Sequence, residues 1–203
     1  MGRCDRSAVS RVMHTAAAFS VLPFAGGCGL LGGPGALRQD TPQVITVSSP
    51  VFNLGVIPRR YSCHGAESPP IFWSGAPHAT KSIALVVDDS NAPVAPYVYW
   101  IVFDISPATT DIQAGRLPPG ARQADNSRGQ ATFDPPCPAN GSHMYRFTVY
   151  ALDSVLSERD GAGLESMLRA IARHAIARGR LTGTVNPQPS GRGGRTARPD
   201  TVG

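Results

Sequence analysis

The segment DPPCPANGSHMYRFTVYALD, from Asp134 to Asp153, constrains this chain more than any other. Proline fixes its own φ and removes an amide donor, so Pro135, Pro136 and Pro138 make a stiff wall that stays out of sheet pairing. A Gly141-Ser142 corner follows, then His143 and Tyr145 at the mouth of a run rich in β-branched and aromatic residues, Tyr145 to Leu152. Such a run reads as a strand. A stiff wall beside an imidazole and a phenol is one way to build a small polar pocket. Taken alone, the plainer reading is a proline-rich loop with a surface histidine.

Two further blocks change that balance. In LVVDDSNAPVAPYVYWIVFDI, Leu85 to Ile105, an apolar strand ends abruptly in Asp88 and Asp89; upstream lies RYSCHGAESPPIFW, Arg60 to Trp73. The order YSC-x-G-x-x-SPP-x-x-W, then VDD-x-x-AP, then PPCP-x-x-GSH-x-Y-x-F-x-VYALD resembles the phosphatidylethanolamine-binding protein family, which includes the Raf-kinase-inhibitor-like proteins of bacteria. The blocks fall in family order between about Pro50 and Asp153. The fold that the resemblance implies would reach roughly Val185. It is mainly β: a large central sheet backed by a smaller one, with a C-terminal helix and a ligand pocket at one end.

The N-terminus reads as an export signal, residues 1–27. Arg3, Arg6 and Arg11 form a basic start, and Val12 to Ala25 is an apolar run too short to span a membrane permanently. It closes on Ala25-Gly26-Gly27-Cys28, which looks like a bacterial lipobox with Ala25 where leucine is usual and with Pro23 interrupting the run. Lipidation of Cys28 is expected, giving a lipoprotein-type member anchored to the outer face of the cell membrane. A secretory signal cleaved elsewhere, or an uncleaved anchor, is the alternative. Residues 28–43 are mostly Gly, Pro, Leu and small polar residues without a period, which suits a flexible tether. Residues 186–203 are Pro, Gly, Arg and Thr, too poor in apolar groups to offset their ordering entropy.

This division decides what the charge means. The chain carries +5, with Lys and Arg together at 19 against 14 acids. Residues 1–27 and the tail from Asn186 each hold three arginines and one acid, while residues 44–185 hold 12 basic and 11 acidic side chains. The domain is therefore almost neutral, and the excess sits in a leader and a tail. That excludes the nucleic-acid reading a basic chain would otherwise invite. The arginine tail can still meet anionic lipid, each charge worth about 1 kcal/mol near a surface.

Residues 44–185 form one domain with a single core. Strands are expected over Val44–Ser48, Ser82–Val87, Val98–Ile105 and Arg146–Leu152. Leu164, Leu168, Ile171 and Ala175 recur at helical spacing, and Gly179 after Arg173 and Arg178 looks like the helix stop. His174 reads as a solvated helix residue. Short strands with one late helix point to a sandwich-like β domain.

The resemblance implies a site in which a small anion, such as a phosphate-bearing headgroup, sits among an aspartate, two histidines, a tyrosine and a proline wall. Asp89 matches the first acid of the family's Asp-Pro-Asp-Ala-Pro block, while Asn91 stands where the second would be. Tyr99 precedes Trp100 where the family has histidine. His143 and Tyr145 match the Gly-x-His-Arg-Tyr block, with Met144 in place of its arginine, and Pro136 matches the wall proline. The expected ligand-binding set is Asp89, Asn91, Tyr99, Trp100, Pro136, His143 and Tyr145. An imidazole and an arginine are gone, so anion binding should be weaker and more pH-dependent. Asp89 is expected to orient His143 or a turn, and Asn91 reads equally well as a turn cap.

Cys63 and Cys137 fall in two of the family blocks, which the resemblance brings to the same end of the domain. In an exported protein they read as a disulfide. A zinc site from Cys63, His64, Cys137 and His143 lacks the usual close spacing, so no metal or cofactor is expected. The leading function is a non-catalytic, envelope-anchored binder of a small anionic or phospholipid-headgroup-like ligand, with regulation of an unknown protein partner open. One alternative is inhibition of a protease or kinase. Another is a hydrolase using Ser142 or Ser68 with His143 and Asp89, but no Gly-x-Ser-x-Gly elbow is present. On an extended strand, Ser142 would also point away from its neighbour His143.

Overall fold

The computed structural model describes residues 41–63, 65–92 and 96–187. The expected leader, the Cys28 lipidation site, His64, most of the tether and residues 188–203 lie outside the described residues.

In chain order the elements are β1 (Thr46–Ser48), β2 (Ile71–Ser74), β3 (Ser82–Asp89), β4 (Tyr97–Ile105), β5 (Asp111–Ile112), β6 (Arg122–Ala124), β7 (His143–Leu152), α1 (Leu164–His174) and β8 (Ala175–Val185), with a 3-10 turn at Arg59–Tyr61. A five-stranded sheet has the order β6-β4-β3-β7-β8, and a three-stranded sheet has the order β1-β2-β5. Adjacent strands in both are antiparallel. The expected large sheet backed by a smaller one is what forms.

Alternation along the strands sorts the apolar residues into two cores, one on each face of the large sheet, rather than the single core expected from length. Between the sheets, Val47, Ile71, Trp73 and Ile112 of the small sheet meet Leu85, Val87, Val102, Phe147, Val149 and Leu181. On the other face of the large sheet, Ala84, Val86, Ile101, Phe103 and Tyr150 pack under Met167, Ala170 and Ile171 of the helix. β3 is central and buried on both faces, which is why it reads as a continuous apolar run.

The helix ends earlier than its sequence suggests. Gly179 does not stop it: α1 closes at His174, and Ala175 begins an 11-residue strand paired along β7. From Gly179 onward, Gly179, Leu181, Gly183 and Val185 are buried while Arg180 is exposed and Thr182 and Thr184 half-buried. That is a period of two, which the arginines disguised as a helix end. Gly179 is needed because the chain before β1 crosses it: an added Cβ would lie 1.9 Å from the Ile45 carbonyl oxygen. His174 holds Asp153 through Nδ1 at 2.8 Å.

The domain also begins before Val44. Thr41 is buried, and the Arg178 amide donates to the Pro42 carbonyl at 2.8 Å. The last tether residues thus cover the β8 edge, which would otherwise offer open hydrogen bonds. At the C-terminal end Asn186 accepts from Ser142 Oγ at 2.8 Å, so it too belongs to the domain.

Candidate functional site

The face of the large sheet that turns toward the small one changes from apolar to polar at one end. Val87 and Phe147 pair in the core; the next residues on that face, Asp89 and Tyr145, also pair, and His143 lies two further along β7. Asp89 also sits opposite Tyr97 of β4. Register alone therefore gathers a carboxylate, an imidazole and phenols at the strand ends.

Asp89 is 3 % exposed. Its Oδ2 lies 2.6 Å from His143 Nδ1, and its Oδ1 accepts the Asn91 amide at 2.7 Å. Both oxygens are thus occupied, one orienting the histidine and the other closing a turn. An ionised carboxylate can only accept, so the pair holds the neutral imidazole with its proton on Nδ1. Among the described residues no group bonds the other ring nitrogen, Nε2, and the side chain is 29 % exposed. In the neutral ring Nε2 is an acceptor. Only the protonated ring donates from it.

Tyr99 owes its aim to a bulge. Val87 pairs with Trp100 and Asp88 with Val98, leaving Tyr99 as the extra residue of β4. Its ring meets that of Tyr145 edge-on at 5.2 Å and that of Tyr97 at 4.7 Å. Burial pushes the Tyr99 phenol up to about 12, the Tyr145 hydroxyl partly countering and the charge of Asp89 adding to it. Burial raises Tyr145 further, with the Tyr99 phenol next in effect. The Tyr145 hydroxyl is buried beside the Tyr99 phenol, with no partner in good hydrogen-bond geometry among the described residues. Both phenols are therefore neutral donors over the physiological range.

Trp100 is not part of this lining. It is 2 % exposed in the core between the sheets, its indole N–H donates to Gln123 Oε1 at 2.6 Å, and Phe133 packs edge-on against it. Asn91 is an exposed clamp: its Oδ1 accepts the Met144 amide at 2.9 Å, extending the β3–β7 ladder past its last backbone pair. Pro136 is buried, and the Cys137 beside it is bonded to Cys63 across 74 residues. That bond ties the proline wall to the segment after the 3-10 turn, and it consumes both thiols that a zinc site would need.

Neither serine of the hydrolase alternative reaches the histidine. Ser142 Oγ is spent on Asn186, and Ser68 is buried, its backbone and side-chain oxygens facing the Gly115 amide. Sequence reasoning missed a second polar group beside Tyr99. Arg128 Nε contacts Asp134 Oδ2 at 2.9 Å and Tyr97 Oη at 3.3 Å; Tyr97 Oη also donates to Asp134 at 3.2 Å, and the Asp134 amide donates to the Tyr99 carbonyl. No local motif announces it, because these residues meet only when loop 126–134 folds along β4.

The model of the family described as "Phosphatidylethanolamine-binding protein" matches residues 47–186. The chain belongs to the phosphatidylethanolamine-binding protein family. A relative from Methanothermobacter thermautotrophicus, named only as a UPF0098 protein, is 42 % identical over 135 residues, 64 % of this chain and 89 % of its own. The Mycobacterium tuberculosis protein LppC, whose name describes it as a lipoprotein, is 36 % identical over 199 residues, 88 % of this chain and 98 % of its own. Among solved structures, a phosphatidylethanolamine-binding protein homologue from Chlamydia trachomatis superposes with a TM-score of 0.66 at 35 % identity, covering 72 % of this chain and 99 % of that one. YbcL of Escherichia coli gives 0.64 at 26 % identity, covering 71 % and 99 %. As a phosphatidylethanolamine-binding protein family member, this chain carries its polar strand ends where the three sequence blocks converge.

Proposed function

We propose that this domain is a non-catalytic binding protein for a small anionic ligand of the phosphate or phospholipid-headgroup type, held at the outer face of the cell membrane by a lipid on Cys28. The observation that carries the reading is the buried Asp89 clamping His143 through Nδ1, with Nε2 left toward the exposed side. The protonated ring presents one aimed, charge-assisted donor to an oxyanion. Tyr99, Tyr145, Asn91 and the Pro136 wall line the site and set its size. Membership in a family of binding proteins supports the absence of chemistry, as does the lack of a serine bonded to His143 among the described residues. The lipoprotein name of the M. tuberculosis relative supports the anchor. No helix among the described residues is long and apolar enough to cross a membrane.

Calorimetric titration with inorganic phosphate and with phosphoethanolamine tests the pocket. A hydrogen bond to a charged group is worth about 1.5–3 kcal/mol, so His143→Ala should weaken binding about tenfold or more. Ser142→Ala should leave it intact. Ester turnover that Ser142→Ala abolishes would overturn the binding reading in favour of a hydrolase.

A further inference from the structure

We propose that the outer face of the β7–β8 end, centred on Leu54, Val56 and Met144, docks on a bilayer containing anionic lipid. The proposal goes beyond the pocket and does not depend on what the pocket holds.

Helix α1 covers only part of the outer face of the large sheet. Beyond Tyr150, the β7 residues on that face are Thr148, Arg146 and Met144, and their β8 partners are Arg180, Thr182 and Thr184. Val56 continues the last row, pairing with Thr184 as the chain runs along the β8 edge. Residues paired in a ladder point to the same face, so Val56 and Met144 flank Thr184 about 10 Å apart. Val56 is 57 % exposed and Met144 46 %. Leu54, two residues before Val56, is 75 % exposed at φ +54°, a conformation that a leucine seldom adopts. Val56 and Met144 thus share one exposed row, and exposed Leu54 lies two residues along the chain from it.

The charges around the tip decide what covers it. Arg146 and Asp88 neutralise one another on this face, at 2.8 Å through Nε. Arg180 is exposed and among the described residues donates to the Thr148 hydroxyl rather than to an acid, which leaves a surplus positive charge. Val185 pairs with His143, and the described chain stops two residues later at Pro187, at the same end of the sheet. The 16 residues that follow carry Arg192, Arg195 and Arg198 against Asp200 alone. Apolar residues on a face with the surplus charge of Arg180, in a chain that continues into a segment with three arginines, match a bilayer interface with anionic headgroups; a protein partner with an apolar patch would need no such surplus. Met144 is where the sequence departs from the family's arginine, so an apolar group stands at the tip where a charge would oppose insertion.

Hydrogen exchange of the full chain, followed by mass spectrometry, tests this with vesicles of phosphatidylcholine alone and of phosphatidylcholine with phosphatidylglycerol. Residues 53–57 and the start of β7 should exchange about threefold more slowly or better on the anionic vesicles than on the neutral ones. The variant Leu54→Ser, Val56→Thr, Met144→Thr should lose that difference while keeping the parent's circular dichroism. Equal exchange on both vesicles, or slowing confined to another surface such as 109–119, overturns the proposal. So does slowing without vesicles that grows with protein concentration, which would make a second copy the occupant. Phosphate should titrate into the double variant Leu54→Ser, Val56→Thr, which leaves β7 unchanged, as into the parent, so a failed pocket and a failed docking face give different results.

Discussion

His143 Nδ1 and Asp89 Oδ2 lie 2.6 Å apart, with Asp89 buried and its second oxygen already accepting the Asn91 amide. This geometry assigns the histidine's only neutral-state proton to the carboxylate, so the ring can donate to an anion only after gaining a second proton.

Phosphate binding should therefore depend on Asp89 as well as on His143. Asp89→Asn removes the charge that steadies the imidazolium, so it should weaken binding about as much as His143→Ala does. Calorimetry of the two single variants checks this; parent-like affinity in both would mean that His143 does not contact the ligand.

The buried tyrosines predict an alkaline limit. Burial raises Tyr99 and Tyr150 each to about 12 from 10.0, and raises Tyr145 as well. A phenol whose folded value lies above its unfolded one contributes stability that is complete below the unfolded value and is lost as pH rises through the folded one. Stability should thus hold to about pH 10 and decline toward 12. Ultraviolet titration should show Tyr99, Tyr145 and Tyr150 ionising late and together with unfolding, and Tyr99→Phe should soften the decline.

Opening the Cys63–Cys137 bond should cost both stability and binding. Its closed loop spans 74 residues, for which the chain-entropy model gives about 4 kcal/mol. Urea melts of Cys63→Ser should show a loss of up to that size. Phosphate binding should weaken beyond what stability explains, because Pro136 is no longer pinned. A variant that melts like the parent would show that the wall is held by packing alone.

Gly179→Ala should be among the most damaging small substitutions. The new Cβ would overlap the Ile45 carbonyl at 1.9 Å, and the adjacent Ile45 amide donates to the Arg178 carbonyl at 3.1 Å. Backbone atoms cannot swing aside, so a loss on the order of 3 kcal/mol is expected in denaturant melts. Arg180→Ala on the same strand, with its side chain exposed, should cost far less.

Much of this protein was legible in its residues. Alternation and β-branching marked β3, β4 and β7 within a few positions, because a strand's two faces are written locally. The three blocks pointed to the family, and through it to Asp89 and His143. The cysteine pair was legible only with the family's geometry, since spacing does not say which thiols meet.

Tertiary structure decided the rest, wherever the deciding contact lies far along the chain. Ala175–Val185 carries both a helical ending and a two-residue period; pairing with β7 chose the strand, and the chain at Ile45 turned Gly179 from a helix stop into a crossing point. Tyr99 and Trp100 are neighbours, yet the bulge against Val87 and Asp88 aims one at the site while the other stays in the core. Arg128, Asp134 and Tyr97 form no motif, and they meet only through folding. The sequence by itself determined which residues are apolar, polar or rigid, and with what period. Which face each presents, and to which distant partner, depended on strand register, because a shift of one residue reverses every side chain.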